Sequence, residues 1–446
     1  MNLKLTKDAP SSDTVRAISS KSYVHRLMIA ASLYGGEASI ITNILSSDMK
    51  ATANVINALG GSVHIREEDG DRIRIDIGAP LGTKRLPEAV LDCKESGSTA
   101  RFILPVAPVF ADTATLCGSG RLPDRPMGPL CDVLRKGGCN VSADKLPITI
   151  SRIPAAGDYE IAGNVSSQFI SGLLFALPLL EGESRLRIKG GLQSAAYADM
   201  TLEVLKRFGA PIGYENGVYT TPGLAGYKGA DIAKKRVTAA EGDWSNAAYI
   251  MAMAAFASKV YSRRFYITGL DPDSIQPDRA VTGILAQMGI DISYDKKSKA
   301  YGIMGGPQDP VDTDCSQIPD LVPALCILAA YCRGKSIFRN VERLRMKECD
   351  RLEAVSAMLS AVSVKVDIIS QDGSEDMVVH GKGMADPVKE DIVIDSFNDH
   401  RIAMAASALV FAEDGGVILK DAMAVDKSYP GFYDVAAILG LSNCRA

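Results

Sequence analysis

A helix with one apolar face that stops at glycine and runs straight into a β-like stretch recurs along this chain, at 56–65, 133–141, 204–212 and 284–292. A weaker copy lies at 355–366, where Ser360 stands in the glycine's place, and a truncated one closes the chain at 435–441. The switch from a period of 3.6 to a period of 2 reads as a surface helix followed by a strand. The spacing of roughly 70 to 80 residues is too long for the common solenoids, so each copy is a small α/β unit.

An earlier, more uniformly apolar helix belongs to each copy, at 23–33, 99–109, 168–179, 245–256, 321–332 and 401–411. Helices apolar all round are buried, and one-faced helices lie outside them. Hairpins follow several of the outer helices, most clearly His64-Ile65-Arg66 with Ile73-Arg74-Ile75 across the Asp69-Gly70 turn. The unit is therefore strand, buried helix, strand, surface helix and two more strands, six times over. The sixth copy ends without its hairpin, and the opening strand at 2–7 is expected to complete it. Both chain ends then share one domain, formed by 1–19 with 241–446, and 20–240 forms the other. The crossings fall near 17–20 and 238–241, the second after the Lys234-Lys235-Arg236 charge run. At 446 residues the chain exceeds the ~250–300 at which one core stops growing, which agrees with two domains.

A composition 47% hydrophobic and 23% charged is that of a soluble globular protein. The formal net charge of -4 argues against a nucleic-acid partner but not against anionic substrates, because a cleft can be positive on an acidic protein. The longest apolar runs, 247–257 and 321–332, fall short of the ~20 residues of a membrane span, so no membrane is expected. Nine scattered cysteines, without a CxxC pair or zinc-type spacing, read as reduced thiols of a cytoplasmic protein. The opening MNLKLTKDAP has no signal-peptide core.

Polar residues crowd at the starts of the buried helices: Ser20-Lys21-Ser22, Glu95 to Thr99, Ser166-Ser167-Gln168, Asp243-Trp244-Ser245, Asp320 and Asn398 to Arg401. Ser, Asp and Asn are ordinary caps there. Capping does not explain Lys21, Arg26, Arg101, Lys347, Arg351 or Arg401, because cations near a helix N-terminus oppose its dipole. Something anionic should compensate them, and free backbone N–H groups make such termini anion sites. Read as the opening of a helix, Leu344 to Leu352 puts Lys347 and Arg351 four apart on one face, with Glu348 one step round. Two cations beside a carboxylate suit a phosphate-bearing carboxylic acid that must also exchange a proton. The P-loop pattern GxxxxGK[ST] is absent, and no metal constellation or cofactor is implied.

Together, SKSYVHR (20–26), GSTAR (97–101), GRLPDRPMG (120–128), NVSSQFISGLL (164–174), IPD (318–320), RMKECDRL (345–352), NDHR (398–401) and DKSYPGF (426–432) resemble the EPSP synthases, the 3-phosphoshikimate 1-carboxyvinyltransferase family. These motifs run in one order through essentially the whole chain. The resemblance implies two inside-out α/β domains, each of three βαβαββ units, with the active site in the interdomain cleft. It also implies transfer of enolpyruvyl from phosphoenolpyruvate to the 5-hydroxyl of shikimate 3-phosphate. By position, Lys21, Ser22, Arg26, Ser166, Ser167, Gln168, Ser194, Tyr197, Asp320, Asn340 and Lys347 match the residues that hold shikimate 3-phosphate. Lys21, Gly97, Arg121, Gln168, Arg351, His400, Arg401 and Lys427 match those around phosphoenolpyruvate.

Lys21, Asp320 and Glu348 match the catalytic residues, with Asp320 taking the hydroxyl proton and Lys21 and Glu348 managing the methylene proton. The acceptor would sit mainly on the 20–240 domain. A monomer is expected, with glyphosate as a possible inhibitor. The chain departs from the family at Glu95-Ser96-Gly97-Ser98, where many members carry an asparagine in place of Glu95. A carboxylate near a phosphate is unfavourable, so Glu95 either turns away or pairs with a cation. Two rival readings are a transferase of enolpyruvyl to UDP-N-acetylglucosamine, which expects a cysteine in the loop near Gly120 where this chain has none, and a non-catalytic anion-binding protein of the same fold.

Overall fold

Glycine after each outer helix does steric work. Gly60, Gly209, Gly289 and Gly440 sit at φ of +88°, +79°, +81° and +98°, the left-handed region that a Cβ disfavours and that turns a helix end into the next strand. In the weak fifth copy the left-handed position is held by Ser363, at φ +60°, and not by Ser360, which is the last but one residue of the helix Arg351–Ala361.

The computed structural model describes the chain except residues 35–36, 69, 79–80, 82–84, 165, 192, 225–235 and 372. Asp69 of the hairpin turn, Val165 of the 164–174 motif, and Lys234 and Lys235 of the charge run lie outside the described residues.

The described strands form six four-stranded sheets of one design. Asp158–Ala162 pairs parallel with Ser184–Lys189, which pairs antiparallel with Val218–Thr221, and the short hairpin strand Gly213–Glu215 takes the edge. The parallel pair requires a crossover, supplied here by the helix Ser167–Ala176. In the sixth sheet the strand Leu3–Lys7 lies between Val417–Lys420 and Leu441–Arg445.

Contacts divide the chain into two compact units, Met1–Ile18 with Glu241–Ala446, and Ser19–Ala240. Ser19 falls with the second unit, its N–H and hydroxyl engaging Asn43 at 2.6 and 3.2 Å. At each crossing the strand before the buried helix stays behind. Thr14–Arg16 pairs parallel with Phe265–Thr268, and Arg236–Ala239 pairs parallel with Ala38–Thr42. The two first strands are thus exchanged relative to chain order.

In the unit holding both chain ends, the helices Trp244–Tyr261, Val322–Ala329 and His400–Ala408 contact one another. Every side chain of 244–258, 322–329 and 400–408 is buried. The other unit is built alike around Lys21–Tyr34, Gly97–Ile103 and Ser167–Ala176. The run 99–109, expected as one helix, is two, Gly97–Ile103 and Ala107–Phe110. Pro105 lies between them and has no N–H to continue the ladder. No helix among the described residues is long and apolar enough to cross a membrane.

The stretch at 344–352 is not a continuous helix. A 3-10 turn covers Glu342–Met346, Lys347 is extended at φ −88° and ψ −160°, and the α-helix starts at Arg351. Asp350 caps it, accepting from the N–H groups of Leu352 and Glu353 at 3.1 and 3.3 Å. The helix begins only after the Asp350 cap and Lys347 lies before it in extended backbone, so Lys347 and Arg351 do not share a helical face.

Candidate active site

Asp320 is the focus of the unit holding both chain ends. It lies in the 3-10 turn Pro319–Leu321 that opens the buried helix Val322–Ala329. Its Oδ1 accepts from Arg351 Nη1 at 2.9 Å and from Lys347 Nζ at 3.3 Å, and Arg401 Nη2 is 3.1 Å from its Oδ2. Lys347 and Arg351 therefore meet at Asp320 by extended backbone and not by helical spacing. Tyr249 donates its hydroxyl to the Asp320 carbonyl at 3.0 Å, and Arg401 stacks over the Tyr249 ring at 5.9 Å.

Arg351 is 1% exposed and divides its guanidinium among three carboxylates. Besides Asp320, it donates to Asp399 from Nε at 2.8 Å and from Nη2 at 3.3 Å, and to Glu348 from Nη2 at 2.6 Å. Asp399 is fully buried and also caps His400–Ala408 by accepting from the Arg401 N–H at 2.8 Å. One carboxylate thus positions both arginines, one by its side chain and one by its backbone. His400 is buried beside it, Nδ1 3.9 Å from Asp399 Oδ1, and Lys427 donates to the Asn398 carbonyl at 2.8 Å.

Burial disfavours the charge on Asp320, yet Arg401, Lys347 and Arg351 outweigh it and hold the carboxyl well below the usual range. Burial pushes the Lys347 ammonium down to about 8, although Asp320 works to raise it. Asn340, at φ +58°, has its side-chain amide held between Asp314 Oδ1 and the Ser374 hydroxyl, both at 2.9 Å.

In the unit Ser19–Ala240, Lys21 opens the helix Lys21–Tyr34 and is paired with Asp48 Oδ2 at 2.9 Å. Arg26 is buried, and among the described residues its hydrogen-bond partners include no carboxylate. It donates to Thr201 Oγ1 at 2.8 Å, to the carbonyls of Ser22 and Tyr197 at 2.8 and 2.9 Å, and to Ser171 Oγ at 3.4 Å. The Phe102 and Tyr197 rings lie under it, and burial lowers its pKa to about 10. Arg26 thus fixes the backbones of Ser22 and Tyr197. In the segment that follows, Ser194, left-handed at φ +55°, is the N-cap of Ala195–Arg207, so Tyr197 lies inside that helix.

Ser166 caps Ser167–Ala176, accepting from the Gln168 N–H at 3.3 Å, and Gln168 then bridges Arg101 Nη1 at 2.7 Å and Ser98 Oγ at 2.9 Å. A Cβ on Gly97 would lie 2.8 Å from Arg125 Nη1 and 2.9 Å from Arg101 Nη1, so two guanidiniums close on this glycine. Arg121 is exposed, and of the two arginines in 120–128 it is Arg125 that lies beside Gly97. The signal for Arg125 was the Arg125-Pro126 pair within 120–128. Glu95 lies against Gly120, where a Cβ would come within 2.6 Å of its carboxyl, and Gly120 is left-handed at φ +58°.

For Lys21, Lys347, Arg351 and Arg401 the compensation expected at the helix starts is therefore found within the protein: Asp48 for Lys21, Asp320 for Lys347 and Arg401, and Asp320, Glu348 and Asp399 for Arg351. Asp48 was not singled out from the sequence, where it reads as a first-turn acid, and Asp399 stood there only as a helix-start cap.

The model of the family EPSP synthase (3-phosphoshikimate 1-carboxyvinyltransferase) matches residues 5–436. The chain belongs to the EPSP synthase family. A 3-phosphoshikimate 1-carboxyvinyltransferase of Clostridium novyi (strain NT) is 35% identical over 428 residues, covering 93% of this chain and 92% of the relative. One of Methanothrix thermoacetophila is 35% identical over 439 residues, covering 98% and 97%. The fold is similar to that of EPSP synthase from Acinetobacter baumannii, with a TM-score of 0.75 at 21% identity over 100% of both chains. It is also similar to the enolpyruvyl transferase NikO from Streptomyces tendae, with a TM-score of 0.73 at 15% identity over 100% and 99%. As a member of the EPSP synthase family the chain is a transferase of the shikimate pathway, acting on shikimate 3-phosphate and phosphoenolpyruvate.

Proposed function

We propose that the Asp320 cluster carries out the proton chemistry of this transfer and that its two arginines, Arg351 and Arg401, hold phosphoenolpyruvate. The observation that carries the reading is the convergence of Lys347, Arg351 and Arg401 on one carboxylate. In the transfer, the 5-hydroxyl of shikimate 3-phosphate attacks C2 of phosphoenolpyruvate while the methylene carbon gains a proton, giving a tetrahedral ketal. The phosphate then leaves as a methyl proton is removed. Asp320 accepts the hydroxyl proton, and Lys21 and Glu348 manage the methylene proton.

Without a ligand the three cations keep Asp320 ionised but make it a weak base. The carboxylate and phosphate of phosphoenolpyruvate offset those charges on arrival and raise its basicity when it is needed. Arg351, Arg401, His400 and Lys427, with Gly97, Gln168 and Arg125 in place of Arg121, are assigned to phosphoenolpyruvate. Lys21, Ser22, Arg26, Ser166, Ser167, Gln168, Ser194, Tyr197, Asn340 and Lys347 are assigned to shikimate 3-phosphate. The same reading includes glyphosate as a competing anion beside Gly97, and a monomeric cytoplasmic enzyme.

The test is phosphate release on incubation with both substrates, with UDP-N-acetylglucosamine replacing shikimate 3-phosphate as the control acceptor. Asp320→Ala and Glu348→Ala are expected to lose at least ~100-fold in turnover, the usual scale of acid–base catalysis, and far less in acceptor binding. Weakened binding at full turnover would refute these roles.

A further inference from the structure

His25 stands between Ser22 and Arg26, both assigned to the acceptor, and has no part in the mechanism above. Its Nδ1 lies 2.6 Å from Thr52 Oγ1, in the helix Ser47–Ala58. Thr52 Oγ1 lies 2.7 Å from Thr99 Oγ1, and Thr99 Oγ1 donates to Ser96 Oγ at 2.7 Å. Ser96 is the N-cap of Gly97–Ile103 and also accepts the Thr99 N–H at 3.2 Å. His25, Thr52, Thr99 and Ser96 are all fully buried. The contacts therefore run from the helix Lys21–Tyr34, through Ser47–Ala58, to the start of Gly97–Ile103.

Both ends of this chain meet residues assigned to substrate. Lys21 and His25 are four apart on one helix, and Asp48 and Thr52 are four apart on the next. Lys21 to Asp48 at 2.9 Å and His25 to Thr52 at 2.6 Å are thus successive rungs between the two. At the other end, Ser98 Oγ accepts the Gln168 amide at 2.9 Å, and the guanidiniums of Arg101 and Arg125 close on Gly97.

Proton counting gives the chain a direction. Each hydroxyl has one proton to donate. Thr99 uses its proton on Ser96, so it accepts from Thr52. Thr52 then has none left for His25 and must accept from Nδ1–H. Burial, with Lys21 and Arg26 beside it, holds the His25 imidazole well below its usual pKa, so the ring is neutral and carries a single N–H. Nε2, which has no hydrogen-bond partner among the described residues, is the unprotonated nitrogen.

We infer that His25, Thr52 and Thr99 are positioning residues: a one-way chain of hydrogen bonds from His25 Nδ1 fixes the turn carrying Gly97 and Ser98 against the helix carrying Lys21, Ser22 and Arg26, and so sets the phosphoenolpyruvate subsite relative to the acceptor subsite. The inference rests on the assignment of Gly97 and Gln168 to phosphoenolpyruvate. A buried chain of this kind tolerates no missing link, because the groups on either side are left unpaired in a low dielectric. Arg26 fixes the backbones of Ser22 and Tyr197 by its own hydrogen bonds, so the acceptor side is held without the chain. A break should therefore act on the Gly97 turn.

Thr52→Val keeps the shape and removes the middle hydroxyl. Its KM for phosphoenolpyruvate should rise about fivefold, the scale of one hydrogen bond, with kcat and the KM for shikimate 3-phosphate within about twofold of wild type. Thr52→Ser restores the hydroxyl and should return the KM for phosphoenolpyruvate to the wild-type value even where its Tm stays lower. A lower Tm in Thr52→Val with both KM values unchanged, or no rescue by Thr52→Ser, would overturn the inference and leave these residues to packing alone. If Thr52→Val does not fold, Thr99→Val breaks the next link and carries the same expectation.

The chain has four histidines, so nitrogen NMR of the imidazoles reads the tautomer directly. His25, assigned as the signal missing from His25→Asn, is expected in the Nδ1–H form. An Nε2–H form in the wild type would reverse the donors and overturn the chain. A wild type that releases no phosphate from shikimate 3-phosphate and phosphoenolpyruvate would instead count against the reading of the site itself.

Discussion

Arg351→Lys keeps the charge and removes the geometry. The guanidinium places four hydrogen bonds of 2.6 to 3.3 Å on Asp399, Asp320 and Glu348 at 1% exposure. A lysine ammonium is a point charge and cannot span three carboxylates that approach from different sides. At least two charge-assisted bonds are lost, each contributing roughly 1.5–3 kcal/mol, and Asp399 stays fully buried with poorer neutralisation. The expected destabilisation is about 3–5 kcal/mol, the usual cost of breaking a buried pair. In a unit of roughly 200 residues that corresponds to a fall in Tm on the order of 10 °C.

The pH dependence has a definite sign. Asp320 is held below its usual pKa in the folded state, so the stabilisation is present above the unfolded carboxyl value and is lost as pH falls through the folded one. Wild type and variant should therefore differ most near neutrality and converge in acid. Thermal unfolding of both proteins at pH 7 and pH 3 measures this. A Tm difference under ~2 °C at pH 7 would refute the reasoning, because it would mean that the carboxylates are satisfied without the planar fork. Affinity for phosphoenolpyruvate must be read on the folded fraction, since the same residue serves both stability and binding.

Two other outcomes follow from single contacts. Lys347, pushed down to about 8, is a cation below that pH and loses its charge above it, so wild-type affinity for shikimate 3-phosphate should fall as pH rises through 8. In Lys347→Arg, whose guanidinium stays protonated, the pH profile of KM should lose that limb. Gly172 lies in Ser167–Ala176 where a Cβ would be 2.2 Å from the Arg101 carbonyl, so Gly172→Ala should destabilise by about 1–3 kcal/mol and disturb the Arg101–Gln168 bond. Denaturant unfolding of that variant with a wild-type midpoint would show that the two helices can separate freely.

Much of the site was visible as residue types and little of it as partnerships. Lys347, Glu348 and Arg351 stood out because a dense charge run next to an apolar helix is a local pattern. Their geometry was misread, because the Asp350 cap starts the helix at Arg351 and leaves Lys347 extended. Arg121 and Arg125 were indistinguishable as letters in one proline-stiffened turn, and only the fold shows which guanidinium reaches Gly97.

The six-fold unit is written in the chain itself, because helix period, strand alternation and the left-handed glycine are properties of neighbouring residues. Even the serine that replaces one of those glycines occurs within a few positions of where the pattern requires it. Tertiary structure alone decided that Thr14–Arg16 and Arg236–Ala239 exchange places between sheets. It also decided that Lys21, Lys347, Arg351 and Arg401 are answered by Asp48, Asp320, Glu348 and Asp399. The reason is physical: strand partners and buried ion pairs join residues tens to hundreds of positions apart, and their energy depends on burial that no local pattern encodes.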